Sequence, residues 1–167
     1  MKKNIQIVFD FVILILLTLF DQFTKHLAST HLKTKGDYVL IKDVFELHYL
    51  ENKGAAFGML QGQKVFFVIV ALVICVAFTY LLFRIPMEKK YIVLRICFVA
   101  IMAGAIGNMV DRLIYQYVVD FFYFKLIDFP VFNVADIYVT VATALLILVV
   151  LFFYKEEDLE FLKREQK

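Results

Sequence analysis

AGAIGNMVDRLIYQYVVDFFYFKLIDFPVFNVAD, residues 103–136, sets acidic and amide side chains into an otherwise apolar stretch. Asp111, Asp120 and Asp136 stand there with Asn108 and Asn133. An ionisable group at membrane depth is costly and by default marks a functional site. The pattern Asn-x-x-Asp occurs twice, at 108–111 and 133–136. Positions i and i+3 of a helix share a face, so each pair is expected to point one way. The rest of the chain is expected to bring these carboxylates together.

Composition sets the class. The chain has 167 residues, 62% of them hydrophobic, and a mean hydropathy of +0.78. Soluble domains average ~45–50% apolar residues, so this chain belongs in a bilayer, with room for a single domain. The net charge of +2, without a run of Lys/Arg interleaved with aromatics, excludes a nucleic-acid-binding reading. Cys75 and Cys97 lack the paired spacing of a zinc or redox site and read as small buried hydrophobes. His26, His31 and His48 form no ligand pattern, so neither a metal nor a cofactor is expected.

A membrane helix needs ~20 mainly apolar residues. Four stretches qualify: Ile5–Ala28, Val65–Phe83, Tyr91–Val110 and Val134–Tyr154. Lys2 and Lys3 before the first imitate a secretory signal, but Asp10 and Asp21 bracket that run and further spans follow, so it reads as an uncleaved span. The fold class expected is an all-α polytopic membrane protein over residues 1–167. It would have four transmembrane helices, a small extracytoplasmic β element within 29–64, and a charged cytoplasmic tail over 155–167. The N-terminus, the loop at 84–90 and the tail share one side and carry Lys2, Lys3, Arg84, Lys89, Lys90, Lys155, Lys163, Arg164 and Lys167. The opposite side carries fewer Lys/Arg over a longer length, which puts both termini in the cytoplasm. Asp21, Asp111, Asp120 and Asp136 then gather at the outer face from separate parts of the sequence.

Within 29–64, Tyr38–Ile41 and Val44–Leu50 read as short strands; Phe45, Leu47 and Tyr49 alternate with Glu46 and His48. The small, glycine-rich run 52–58 permits close backbone approach and is expected beside the carboxylates. Residues 118–132 are too few to span and too apolar for a free loop. Their aromatics suit the interface, and the segment is expected to fold back so that Asp120 faces Asp136.

Each acid also has a purely structural reading. Asp136 opens a helix, where the macrodipole favours an anion. Asp111 closes one and is expected to pair with Arg112. Asp21 and Lys25 are spaced for a helix pair. Asp10 is expected at the interface. Asp120 has no charged residue within four positions, and apolar surroundings raise a carboxyl pKa. Two carboxylates sharing one proton can hydrolyse an amide, one activating water while the other polarises the carbonyl. Ser29 is the only serine, a poor basis for a serine nucleophile.

The motifs resemble those of bacterial lipoprotein signal peptidase, also called signal peptidase II. Asp21-Gln22-x-x-Lys25, Asn52-x-Gly54-Ala-Ala-Phe-Gly58, Gly104 through Arg112, Val118-Val-Asp120-Phe and Phe132-Asn133-Val-Ala-Asp136 occur in the family's order along nearly the whole chain. The resemblance implies an aspartic endopeptidase that removes the signal peptide from prolipoproteins, cutting just before a cysteine that carries a diacylglyceryl group. It implies Asp120 and Asp136 as catalytic residues, with Asp21, Asn52, Asn108, Asp111, Arg112 and Asn133 supporting the site or the substrate. Partners would be lipid-modified prolipoproteins and membrane lipid, met by a monomer in the bacterial cytoplasmic membrane with its site near the outer face. The residues alone leave Asp111 and Asp120 as rival partners of Asp136. Asp120 is preferred because Arg112 is expected to keep Asp111 ionised, and the resemblance agrees. A small proton-coupled transporter is the alternative, since clustered carboxylates also line conduction paths. A docking factor without catalysis would tolerate loss of both aspartates.

Overall fold

The computed structural model describes residues 3–54 and 59–162. Lys2, Lys163, Arg164 and Lys167, counted toward the cytoplasmic charge, and residues 55–58 of the glycine-rich run lie outside the described residues. In chain order the elements are α1 (Lys3–Lys35), β1 (Tyr38–Ile41), β2 (Phe45–Asn52), α2 (Lys64–Arg84), α3 (Ile92–Ile114), β3 (Val118–Tyr123) and α4 (Val134–Phe152). Short 3-10 turns occupy Lys89–Tyr91, Lys125–Ile127 and Glu156–Leu162.

Four helices are long and apolar enough to cross a membrane. In hydrocarbon every backbone polar group must be satisfied within its own segment, and a helix does this. The protein is a mainly helical, polytopic membrane protein with a small antiparallel sheet. Large apolar side chains such as Val8, Val76 and Leu151 face outward, as lipid-facing residues do. α1 continues past its apolar run to Lys35, carrying the chain up to the sheet.

α3 is the hub on which α1, α2 and α4 pack. Leu94, Phe98 and Met102 of α3 are buried with Leu14, Leu82 and Ile85, and Phe78 stacks on Phe98 with ring centroids 4.4 Å apart. Toward its C-terminal half α3 turns to small residues, which let backbones approach where lipid offers no hydrophobic drive. A Cβ on Gly104 would collide with the Ala135 carbonyl oxygen of α4, and one on Gly107 with the Asp21 carboxylate of α1.

Asp10 departs from expectation. It is buried rather than interfacial, ion-paired with Arg95 of α3, and accepts a hydrogen bond from Gln6 at 3.2 Å. Arg95 also donates to the Leu82 carbonyl at 3.2 Å. Packing of α1 on α3 brings together two charges that lie 85 positions apart in sequence, a pairing that no local pattern contains.

The sheet has the order β1-β2-β3, antiparallel throughout. β1 has the bounds expected, while the second strand begins and ends slightly later than expected, at Phe45 and Asn52. The third strand was not anticipated. Val118–Tyr123 pairs with β2 in a register that sets Asp120 opposite Leu50 and Val118 opposite Asn52. Phe121 and Phe122 donate their amides to the Phe132 carbonyl at 3.0 and 2.8 Å, and Phe132 donates back to Phe122 at 3.0 Å. The chain between them is thereby folded into a closed excursion, with Asp128 at φ 48° at its turn. Asn133 emerges beside Asp120. The run of aromatics reads as interfacial because it is uniformly apolar; the strand is fixed by β2, which lies about seventy positions away.

Candidate active site

α4 begins with a reciprocal cap. Asn133 sits at the N-cap in extended conformation, and its side-chain oxygen accepts the Asp136 amide at 3.0 Å. The Asp136 carboxylate in turn accepts the Asn133 amide at 3.0 Å. This is a capping box, which satisfies two orphan donors at a helix start. The second Asn-x-x-Asp is therefore a helix-opening device rather than two residues on one helical face. One Asp136 oxygen serves the cap. The other accepts from the Asn108 side-chain amide at 2.8 Å.

Asp120 arrives from β3. Its two oxygens accept from Asn133 Nδ2 at 2.6 Å and Asn52 Nδ2 at 2.8 Å. Asn133 thus bridges the carboxylates, donating its side chain to Asp120 and its backbone to Asp136. Asp120 is buried. Burial, and next the negative charge of Asp136, push its carboxyl up to about 7, against the opposing hydrogen bonds from Asn52 and Asn133.

A second layer sits behind the first. Lys25 is buried and contacts Asp21 at 2.9 Å, Asp111 at 3.1 Å and Asn108 Oδ1 at 2.8 Å. The expected Asp21–Lys25 helix pair is present. The expected Asp111–Arg112 pair is not: the Asp111 charge is met by Lys25. Arg112 instead donates to the Gly54 carbonyl at 3.0 Å and the Asn108 carbonyl at 3.2 Å, with its guanidinium 4.4 Å from the Phe67 ring centroid. Adjacent positions on a helix diverge by about 100°, so neighbours in sequence seldom meet side chain to side chain.

Each acid of this second layer holds the backbone next to Asp136 or Asp120. Asp21 accepts the amide of Ala135, just before Asp136, at 2.9 Å. Asp111 accepts the amide of Val119, just before Asp120, at 3.1 Å. Lys25 lies between these two clamps, and Gln22 ties Asp111 to the Gly107 carbonyl at 2.9 and 3.1 Å. Asn108 Oδ1 accepts from both Lys25 and Asn133, the latter at 3.1 Å, which turns its amide nitrogen toward Asp136.

Asp120, Asp136, Asn52, Asn108 and Asn133 therefore form one hydrogen-bonded set, with Asp21 and Asp111 behind it and Arg112 at its edge. Lys25 is the residue that sequence reasoning left out of the site. Its spacing from Asp21 showed a local pair, but not that a buried cation would serve two acids and an amide from α3.

The set opens onto a groove of about 570 Å³. Both aspartates line its polar end; Phe67 and Ile74 of α2 and Val139 and Thr140 of α4 line the apolar remainder. Its floor is the small-residue stretch of α3 at Gly104 and Ala105. A bound apolar helix could lie there with one end at the carboxylates.

Comparison with known proteins identifies the family. The family described as signal peptidase (SPase) II matches residues 13–152. The chain is 43% identical over 136 residues to the lipoprotein signal peptidase of Caldanaerobacter subterraneus subsp. tengcongensis, covering 81% of this chain and 90% of that relative. It is 39% identical over 154 residues to the lipoprotein signal peptidase of Clostridium tetani, covering 90% and 96%. Among solved structures it is similar to a bacterial membrane enzyme determined by the in meso method at 2.3 Å resolution. The TM-score is 0.74 and the identity 29%, with 95% of this chain and 93% of that one covered.

Proposed function

The chain belongs to the signal peptidase II family, and from that membership we propose that it cleaves signal peptides from prolipoproteins as an aspartic endopeptidase. Asp120 and Asp136 are the catalytic residues in this reading, and the bond cut is the one just before the lipidated cysteine. The observation that carries it is the Asn133 bridge, which holds two carboxylates at the polar end of an apolar groove.

In the resting dyad Asp120 carries the shared proton and Asp136 is ionised. Asp136 takes a proton from water as its oxygen attacks the scissile carbonyl, while the Asp120 proton moves toward the carbonyl oxygen. The tetrahedral intermediate collapses by breaking the C–N bond: the proton held on Asp136 passes to the leaving nitrogen, and a hydroxyl proton of the intermediate returns to Asp120 as the new carbonyl forms. Asn52, Asn108 and Asn133 orient the two carboxylates. Asp21, Asp111 and Lys25 hold the backbones on which they stand.

The signal helix enters the groove from the lipid, between α2 and α4, and the diacylglyceryl chains stay in the bilayer. The protein acts as a single membrane domain and as a monomer, with both termini in the cytoplasm and the dyad near the outer face. The transporter reading has no support among the relatives. α2, the span of highest mean hydropathy, lines the groove beside the dyad, and the acids of the dyad cluster at one end of it rather than along a path.

Purified protein in lipid, given lipidated and unlipidated precursors and scored by mass shift, tests the reading. Only the lipidated precursor is expected to lose its signal peptide. Asp120→Asn and Asp136→Asn are each expected to abolish cleavage while insertion and thermal unfolding stay near wild type. Normal processing by either variant would refute the dyad.

A further inference from the structure

Beside the groove lies a second cavity of about 610 Å³. Glu46, His48, Leu50, Glu51 and Asn52 of β2 line this cavity, and the β2–β3 pairing shifts register between Leu47 and Leu50. β2 is therefore its floor. Tyr123, which pairs with Glu46 across the sheet, also lines it, with Lys125 and Asp128 from the chain after β3. The two cavities differ in character: apolar side chains predominate around the groove, charged and polar ones around the cleft. They also adjoin. Asn52 and residues 129–131 line both, and Asn52 is the residue whose amide holds Asp120.

A polypeptide lying across the dyad with its apolar helix in the groove has its other end at the mouth of this cleft. We infer that the cleft binds the first residues of the mature polypeptide, those that follow the lipidated cysteine, in extended form, and that it disfavours acidic side chains there. The inference rests on the peptidase reading above. An extended chain rises ~3.3 Å per residue, so the floor from Glu46 to Asn52 accommodates about six residues.

The charge preference follows from the lining. Asp37, Glu46, Glu51 and Asp128 face Lys53 and Lys125. Glu46 is buried and paired with Lys125 at 3.1 Å. Glu51 is answered from outside the cleft by Lys33 at 2.7 Å. Among the described residues Asp128 accepts from the neutral Tyr123 hydroxyl, at 2.6 Å, and Asp37 meets His48 at 2.8 Å. With His48 neutral the cleft keeps an excess of negative charge, so an incoming carboxylate meets repulsion.

The test uses wild-type protein in lipid and synthetic lipidated precursors that end either one residue or about six residues after the cysteine. The longer substrate is expected to show a KM lower by about tenfold at similar kcat, the pattern of binding gained equally in ground and transition states. Among longer substrates, an acidic run should raise KM relative to a basic run, and added salt should narrow the gap. Equal KM for short and long substrates would overturn the cleft assignment. Equal KM for acidic and basic runs would overturn the charge preference. Absence of cleavage of every substrate would instead overturn the peptidase reading. Asp37→Lys combined with Asp128→Asn, which keeps a residue tolerant of positive φ at 128, is expected to erase the acidic penalty.

Discussion

Asn133 touches both carboxylates of the proposed dyad, and the resulting asymmetry decides how each behaves. Asp136 spends one oxygen on the helix cap, whereas Asp120 is buried on a strand beside that anion. A carboxyl held at about 7 keeps its proton at lower pH and releases it as pH rises. Above that point Asp120 is ionised, and the proton that polarises the scissile carbonyl is gone. kcat/KM, which reports the free enzyme, is therefore expected to fall as pH rises through about 7. A profile flat to well above that value would show that Asp120 does not supply the proton. Lys25 acts one step back, through Asn108 and the two clamping acids. Lys25→Met is expected to lower kcat about a hundredfold, the scale of a misplaced catalytic group, with little change in KM. Steady-state kinetics on the folded variant check this, and unchanged kcat would make Lys25 a packing residue only.

At the scale of elements, two short contacts set the geometry. The start of α4 is fixed by its capping box, and β3 is fixed by β2 on one side and Phe132 on the other. The two roles of Asn133 can be separated. Asn133→Ser keeps a good N-cap and removes the donor to Asp120; Asn133→Ala removes both. Loss of an N-cap costs ~1 kcal/mol. Thermal unfolding in detergent should show the alanine variant clearly less stable than the serine variant, with both impaired in turnover. Equal stability of the two would mean that the cap contributes nothing measurable. The close approach of α3 to α4 and α1 at Gly104 and Gly107 is the other condition, since it carries Asn108 to Asp136 and Asp21 to Ala135.

The whole molecule has one polar centre at the sheet end of the bundle and another, smaller one far from it. The Asp10–Arg95 pair joins α1 to α3 away from the dyad. Removing one member of a buried pair leaves an uncompensated charge and costs ~3–5 kcal/mol, whereas replacing both by apolar residues is often neutral. Asp10→Leu alone is expected to lower the unfolding temperature markedly, and Asp10→Leu with Arg95→Met to restore most of it. A double variant no better than the single one would show that the pair's charges are not coupled. Around these centres large apolar side chains cover much of the outward surface of the helices, as a bilayer requires.

The four spans, the first strand and the acids that cluster beside the groove are legible in the chain itself. Hydropathy over ~20 residues and alternation along a strand are local properties, and motif order carried the family. The partners of those acids are not local. Asp111 is neutralised by Lys25 from α1 rather than by adjacent Arg112, Asp10 is buried by Arg95 of α3, and Val118–Tyr123 became a strand because β2 was there to pair with. Sequence determined which groups had to be satisfied, because a bilayer tolerates few unpaired charges. Tertiary structure decided who satisfies them, because hydrogen bonds and ion pairs depend on distances of about 3 Å that only the packed helices set.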